Sequence, residues 1–211
     1  KMKIRHIFLF LLLALIGACS DNKKKDYDVI IRNGLIYDGS GNIPISSDIG
    51  INGHFISLVG DLSNSTAENE INAEGMAVAP GFINMLSWAT QPLIIDGRAM
   101  SDIKQGVTLE IMGEGRSMGP LNESMKIREK NRQSNIKYDI EWTTLGEYLD
   151  FIVEQGVSVN VASYVGATTI RVHELGYEDR APASDELERM KQLVRDAMRE
   201  GALGVGSSLI Y

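Results

Sequence analysis

The chain has 211 residues, of which 21 are basic and 28 acidic, giving a formal charge of −7 at pH 7. The acidic balance, with Lys23-Lys24-Lys25 the one basic run past the N-terminus, argues against nucleic acid as a partner, because phosphate contacts need clustered Lys and Arg. The single cysteine excludes an internal disulfide, and the length suffices to bury one domain's core.

Residues 1–19 read as a lipoprotein signal peptide. Lys1, Lys3 and Arg5 form a positive n-region, and Ile7 to Ile16 is an apolar run too short to span a bilayer permanently. It runs into Ile16-Gly17-Ala18-Cys19, which resembles a bacterial lipobox, so Cys19 is the expected lipidation site. The protein is then exported and anchored to the cell envelope through its lipid, at a periplasmic or outer surface. Residues 20–27 are polar and serve as a tether. Losing Lys1, Lys3 and Arg5 leaves 18 basic against 28 acidic groups, a balance of −10.

Residues 28–76 form a small β module. Val29-Ile30-Ile31 and Leu35-Ile36-Tyr37 flank Asn33-Gly34, while Ile49-Gly50-Ile51 and Phe55 to Val59 flank Asn52-Gly53. Asn-Gly between apolar runs predicts a hairpin, because both residues tolerate positive φ. Such a module is too small to be stable alone.

From residue 77 to 211, strands alternate with helices. The predicted strands cover 77–85, 107–113, 157–165 and 202–206. Thr144 and Glu147 form a capping box opening a helix that runs to Gly156. A second helix is capped by Ser184, carries Leu187, Met190, Val194, Ala197 and Met198 on one face, and ends at Gly201. Four strands with intervening helices make the α/β first half of an eightfold (β/α) TIM-like barrel, incomplete in this chain. A doubly wound open sheet fits the same pattern. Bare strand edges and an opening Lys lead us to expect a fragment of a longer gene product.

Val78-Ala79-Pro80-Gly81-Phe82-Ile83-Asn84, preceded by Asp38-Gly39-Ser40-Gly41, resembles the amidohydrolase superfamily. Gln105-Gly106-Val107-Thr108, Asn160-Val161-Ala162 with Val165-Gly166 and Ile170-Arg171, and Glu200 to Gly204 running to Leu209-Ile210-Tyr211 resemble its N-acyl-D-amino-acid deacylase (D-aminoacylase) branch. The resemblance implies a partial β-sandwich ahead of the barrel and hydrolysis of the C–N amide bond of a small-molecule N-acyl amino acid. It implies one Zn2+, expected in the full-length protein, polarising the carbonyl and its bound water.

The family's His-x-His after this first strand falls on Leu86 and Trp88, and its cysteine ligand on Gly115. Glu114 is therefore the candidate metal ligand; an exposed carboxylate or a partner of Arg116 is its other reading. Trp88 is the candidate wall of the substrate pocket. The catalytic residues are expected beyond Tyr211, so this chain alone is predicted to be inactive. His6, His54 and His173 lie in the signal, a hairpin and a polar loop; Arg171 holds loop carbonyls or an acidic substrate; Trp142 packs. The glycines of 113–119 suit a tight turn rather than a phosphate cradle, which would need a Lys. Residues 121–137 form a surface excursion over the barrel mouth, open between lid and plain loop. Two other functions remain open: an amidohydrolase acting on another linear or cyclic amide, and a non-catalytic barrel lipoprotein binding a ligand or partner.

Overall fold

A computed structural model describes residues 25–208. The signal peptide, Cys19 and most of the tether lie outside them, as do Leu209, Ile210 and Tyr211. The chain divides between Pro80 and Gly81 into two compact units, rather than between 76 and 77.

The first unit is one mixed sheet. Its strands are β1 (Tyr27–Ile36), β2 (Ile45–Asn52), β3 (Phe55–Gly60), β4 (Ala67–Asn72) and β5 (Ala77–Val78), in the order β3-β2-β1-β4, with β5 also pairing with β1. The β2–β3 hairpin forms as expected, but Asn52 pairs with Phe55, so the turn residues are Gly53 and His54, with Gly53 at φ 57°. Asn33-Gly34, by contrast, is no hairpin. The β1 strand runs straight through it with a register shift between Ile31 and Gly34, and Asn33 sits at φ 59°. Asp48 accepts a hydrogen bond from the Asn33 backbone N–H at 2.8 Å and holds this bulge in place. Strand β4 was not expected, because Ala-Glu-Asn-Glu-Ile-Asn lacks an apolar face; only Ala67 is buried. Ile30, Leu62 and Ala67 form the small core. Arg32 staples its edge by donating to the carbonyls of Leu62 and Ser65 and to Glu70, at 2.8–2.9 Å.

The second unit alternates strand and helix: β6 (Phe82–Asn84), α1 (Pro92–Ile95), α2 (Met100–Ile103), β7 (Val107–Met112), α3 (Glu123–Arg132), α4 (Leu145–Gln155), β8 (Asn160–Ser163), β9 (Val165–Gly166), α5 (Ala167–Leu175), α6 (Ser184–Arg199) and β10 (Val205–Gly206). All its strand pairings are parallel, β6-β7-β8 and β9-β10. Strands β8 and β9 are one segment that changes partner at Tyr164. The Tyr164 N–H donates to Met112 on β7, whereas Ser163 accepts from Leu203 and the Val165 N–H donates to Gly204, next to β10. The order β6-β7-β8/β9-β10 is thereby continuous, and the fold is mixed α/β.

The expected strand 77–85 is two strands split at Pro80-Gly81, one in each unit. The capping box at Thr144 is present in both directions, at 3.2 Å to the Glu147 N–H and 2.9 Å back from the Thr144 N–H. Helix α6 is capped differently from expectation. Its N-cap is Ala183, whose N–H donates to Glu186, and Ser184 is its first residue. At its other end, Gly201 and Ala202 donate to Met198 and Ala197, a Schellman closure.

Helix α5, unexpected, follows β9 directly. The main core packs Trp142, Tyr148, Leu145 and Ile152 against Met112, Val165, Ile170 and Ala197.

Candidate functional site

In parallel sheets the backbone geometry gathers ligand sites at the carboxyl ends of the strands. Here those ends border a cavity of about 510 Å3 within the second unit. Ser87, Trp88 and Thr90 to Pro92 line it after β6; Gly113, Glu114 and Arg116 to Met118 line it after β7. Thr168 and Thr169, in the first turn of α5, line it after β9. Helix α3 supplies the opposite wall. Met125, Arg128, Glu129 and Arg132 recur every three or four residues, the spacing of one helical face, and all four face the cavity. The segment 121–137 is therefore largely helical, and it does cover the strand ends.

The floor is held by local hydrogen bonds. The Ser117 N–H donates to Thr169 Oγ1 at 2.8 Å, and the Gly166 N–H to Ser117 Oγ at 2.9 Å. Tyr148 donates its hydroxyl to the Thr90 carbonyl at 2.9 Å, fixing the loop after β6; burial pushes this phenol's pKa up. Tyr138 also lines the cavity, and its buried hydroxyl has no hydrogen-bond partner among the described residues. Burial, reinforced by Glu129, raises its pKa as well.

Trp88 and Glu114 are thus brought to one cavity, with Trp88 63% exposed. Leu86 and Gly115 do not line it. His54 sits in the β2–β3 turn of the first unit. His173 is on α5, not in a loop, and its Nδ1 lies 3.0 Å from Glu174, which also accepts from Arg189 at 2.6 Å. Arg171 holds the carbonyls of Glu178 and Arg180 at 2.8 and 2.7 Å, which favours its structural reading. Trp142 is 2% exposed and packs, as expected. Sequence reasoning missed Arg128, Arg132 and Tyr138. The N-cap Asn122, with Glu123 in the first turn and Lys130 and Arg132 in the last, was a helix signal available for α3.

Glu110 of β7 is 1% exposed. Its Oε2 accepts from the Asn84 side chain at 2.9 Å, and its Oε1 has no partner among the described residues. Removing the sole donor to a buried carboxylate costs more than removing both polar groups. Asn84→Leu is expected to lower the unfolding free energy by about 1–3 kcal/mol, and Asn84→Leu/Glu110→Met to recover most of it. Urea melts check this; a double variant no more stable than the single one contradicts it.

The donors at the cavity do not fit zinc. A zinc site takes three or four His, Cys or carboxylate ligands, but the cavity offers Glu114 and Glu129, with no imidazole or thiolate. Among the described residues no group of three such side chains is close enough to hold a metal.

No family model matches the chain. It is 28% identical over 196 residues to a D-aminoacylase of Alcaligenes xylosoxydans xylosoxydans, across 91% of this chain and 40% of that protein. With an N-acyl-D-aspartate deacylase of the same organism it shares 28% over 199 residues, 90% of this chain and 38% of the relative. A crystal structure of D-aminoacylase, described as defining a subset of amidohydrolases, superposes with a TM-score of 0.76 at 29% identity, covering 88% of this chain and 39% of that one. The chain is a homologue of the N-acyl-D-amino-acid deacylases. It spans about two fifths of the length of these deacylases. An N-acyl-D-glutamate deacylase of Bordetella bronchiseptica, solved with zinc and a phosphonate inhibitor, has the same fold at a TM-score of 0.74, 24% identity and 88% coverage of this chain against 39% of its own.

Proposed function

We propose that the chain forms the first half of a (β/α)8 barrel, preceded by a partial β-sandwich, in a hydrolase that releases a carboxylate and a D-amino acid from an N-acyl-D-amino acid. The observation that carries this is the cavity at the carboxyl ends of parallel strands, in a homologue of the deacylases. The residues that line it bind and orient the substrate. The loop after β7 and the first turn of α5 present backbone and hydroxyl groups, and α3 covers the mouth. Cys19 tethers the protein to the cell envelope, where the substrate reaches it from outside the cytoplasm.

Zinc enters this proposal only with donors from beyond the described residues, Glu114 being the ligand offered here. At the length of the deacylases, the protein is expected to lose bound zinc on Glu114→Gln; unchanged zinc content by elemental analysis removes Glu114 as a ligand. The activity itself is tested by following amine release from N-acetyl-D- and N-acetyl-L-amino acids. Release selective for the D series by the protein at that length, and none by residues 20–211, is expected. Absence of release by the longer protein overturns the proposal.

A further inference from the structure

The cavity wall is charged in a particular way. Arg116, Arg128 and Arg132 all line it, and among the described residues none of the three makes an ion pair or a side-chain hydrogen bond. Of the other six arginines of this unit, four are ion-paired, Arg98 with Asp96, Arg180 with Glu186, Arg189 with Glu174 and Arg199 with Asp196, while Arg171 and Arg195 donate side-chain hydrogen bonds to carbonyls and to Gln192. Arg128 is held in place by the Tyr177 ring, with its guanidinium carbon 4.0 Å from the centroid, so its donors stay open. Glu114 and Glu129 share the wall and leave an excess of one positive charge. Next to these charges the cavity is apolar, through Met118, Met125 and Ile140.

The geometry points to an anionic amphiphile as the ligand: Arg128 and Arg132 of α3, with Arg116, hold its carboxylate, and Met118, Met125 and Ile140 hold a medium-length acyl chain. This rests on the N-acyl amino acid reading and narrows it to long-acyl substrates with a free carboxylate. Guanidinium groups bind carboxylates through charge-assisted hydrogen bonds that a neutral ester cannot replace. A cavity of about 510 Å3 falls in the range that encloses drug-sized ligands, so an acetyl group occupies little of it.

Calorimetric titration of the purified chain with N-octanoyl-D-alanine, its methyl ester and N-acetyl-D-alanine tests this. The octanoyl acid is expected to bind roughly 10-fold or more tighter than its ester. It should also exceed the acetyl compound by about threefold to fourfold per methylene that the cavity takes in. Arg116→Met/Arg128→Met/Arg132→Met should abolish the preference for the acid while leaving the ester's affinity, which also shows that the variant is folded. Equal binding of acid and ester by the unaltered chain overturns the inference and leaves the function standing. So does an acid preference that survives in the triple variant. Failure of all three compounds to bind overturns the inference, while the function is decided by amine release from the longer protein.

Discussion

Trp142→Ala is expected to lower the unfolding free energy by about 3–5 kcal/mol, the range for removing a buried large aromatic side chain. The side chain is 2% exposed and lies at the centre of an aromatic cluster. Its ring centroid is 5.2 Å from Tyr148, 5.0 Å from Phe151, and 6.1 Å from Tyr138 in near-parallel stacking. Its indole N–H donates to the Met118 carbonyl at 2.7 Å, so alanine leaves that carbonyl without its donor as well as opening a void. Domains of this kind are stable by about 5–15 kcal/mol, so the loss is a large fraction of the whole. Trp142→Phe keeps most of the packing and should lose about 1–2 kcal/mol, mainly the hydrogen bond. Urea denaturation measures both. A Trp142→Ala loss below about 1.5 kcal/mol would show that this cluster is not the core of the second unit.

Gly113→Ala is the second large effect, and it acts at the cavity. Gly113 has φ 97°, and a Cβ there falls on the Tyr164 carbonyl oxygen and 2.8 Å from Ser163 Oγ. The left-handed backbone costs an L-residue about 1–2 kcal/mol, and forcing the overlap costs about 1–3 kcal/mol more. Because Gly113 follows β7 and lines the cavity, the loop carrying Glu114 and Arg116 must shift, and ligand binding should fall with stability. Gly176→Ala is the control. Its φ is 62°, but a Cβ there meets nothing within 4 Å, so it carries the backbone cost alone. Equal melting temperatures for the two variants would show that the approach of β7 to the Ser163–Tyr164 segment contributes nothing.

Most of the second unit was legible in the sequence because its signals are local. The expected strands at 107–113 and 157–165 gave β7 and the β8–β9 segment, and Thr144 and Glu147 gave α4. The amphipathic face of α6 gave that helix, although Ser184 is not its cap. What failed depended on partners distant in sequence. Strand β4 has no apolar pattern of its own and exists because β1 offers it an edge. Helix α5, Ala-Thr-Thr-Ile-Arg-Val-His-Glu-Leu, is rich in β-branched residues and has no side-chain N-cap; its burial of Ile170 and Leu175 overrides weak propensity. Asn33-Gly34 looks like a turn in isolation, but Asp48 and the partner strand β2 make it a bulge.

The candidate site divides in the same manner. Trp88 and Glu114 follow strand ends and could be placed by position along the chain. Arg128, Arg132 and Tyr138 join them only because a helix folds back across the strand ends, which no local pattern specifies. Glu110 interrupts the apolar run of β7, and its burial depends on the pairing of β7 between β6 and β8.

The hydrogen bonds that stitch residues 115–117 to the start of α5 give the cavity two surfaces that yield differently under load. Beneath lies a rigid bed, in which the Thr168 N–H is also bound to the Gly115 carbonyl at 2.8 Å. Above, α3 is suspended near one end, from the Leu121 N–H to Thr143 at 2.7 Å and from Asn122 to the His173 carbonyl at 2.8 Å. Its far end is tied by the Lys130–Asp139 ion pair and by its C-cap Gln133, which donates to the Tyr138 carbonyl at 2.9 Å. An oversized guest is therefore expected to displace the canopy before the bed.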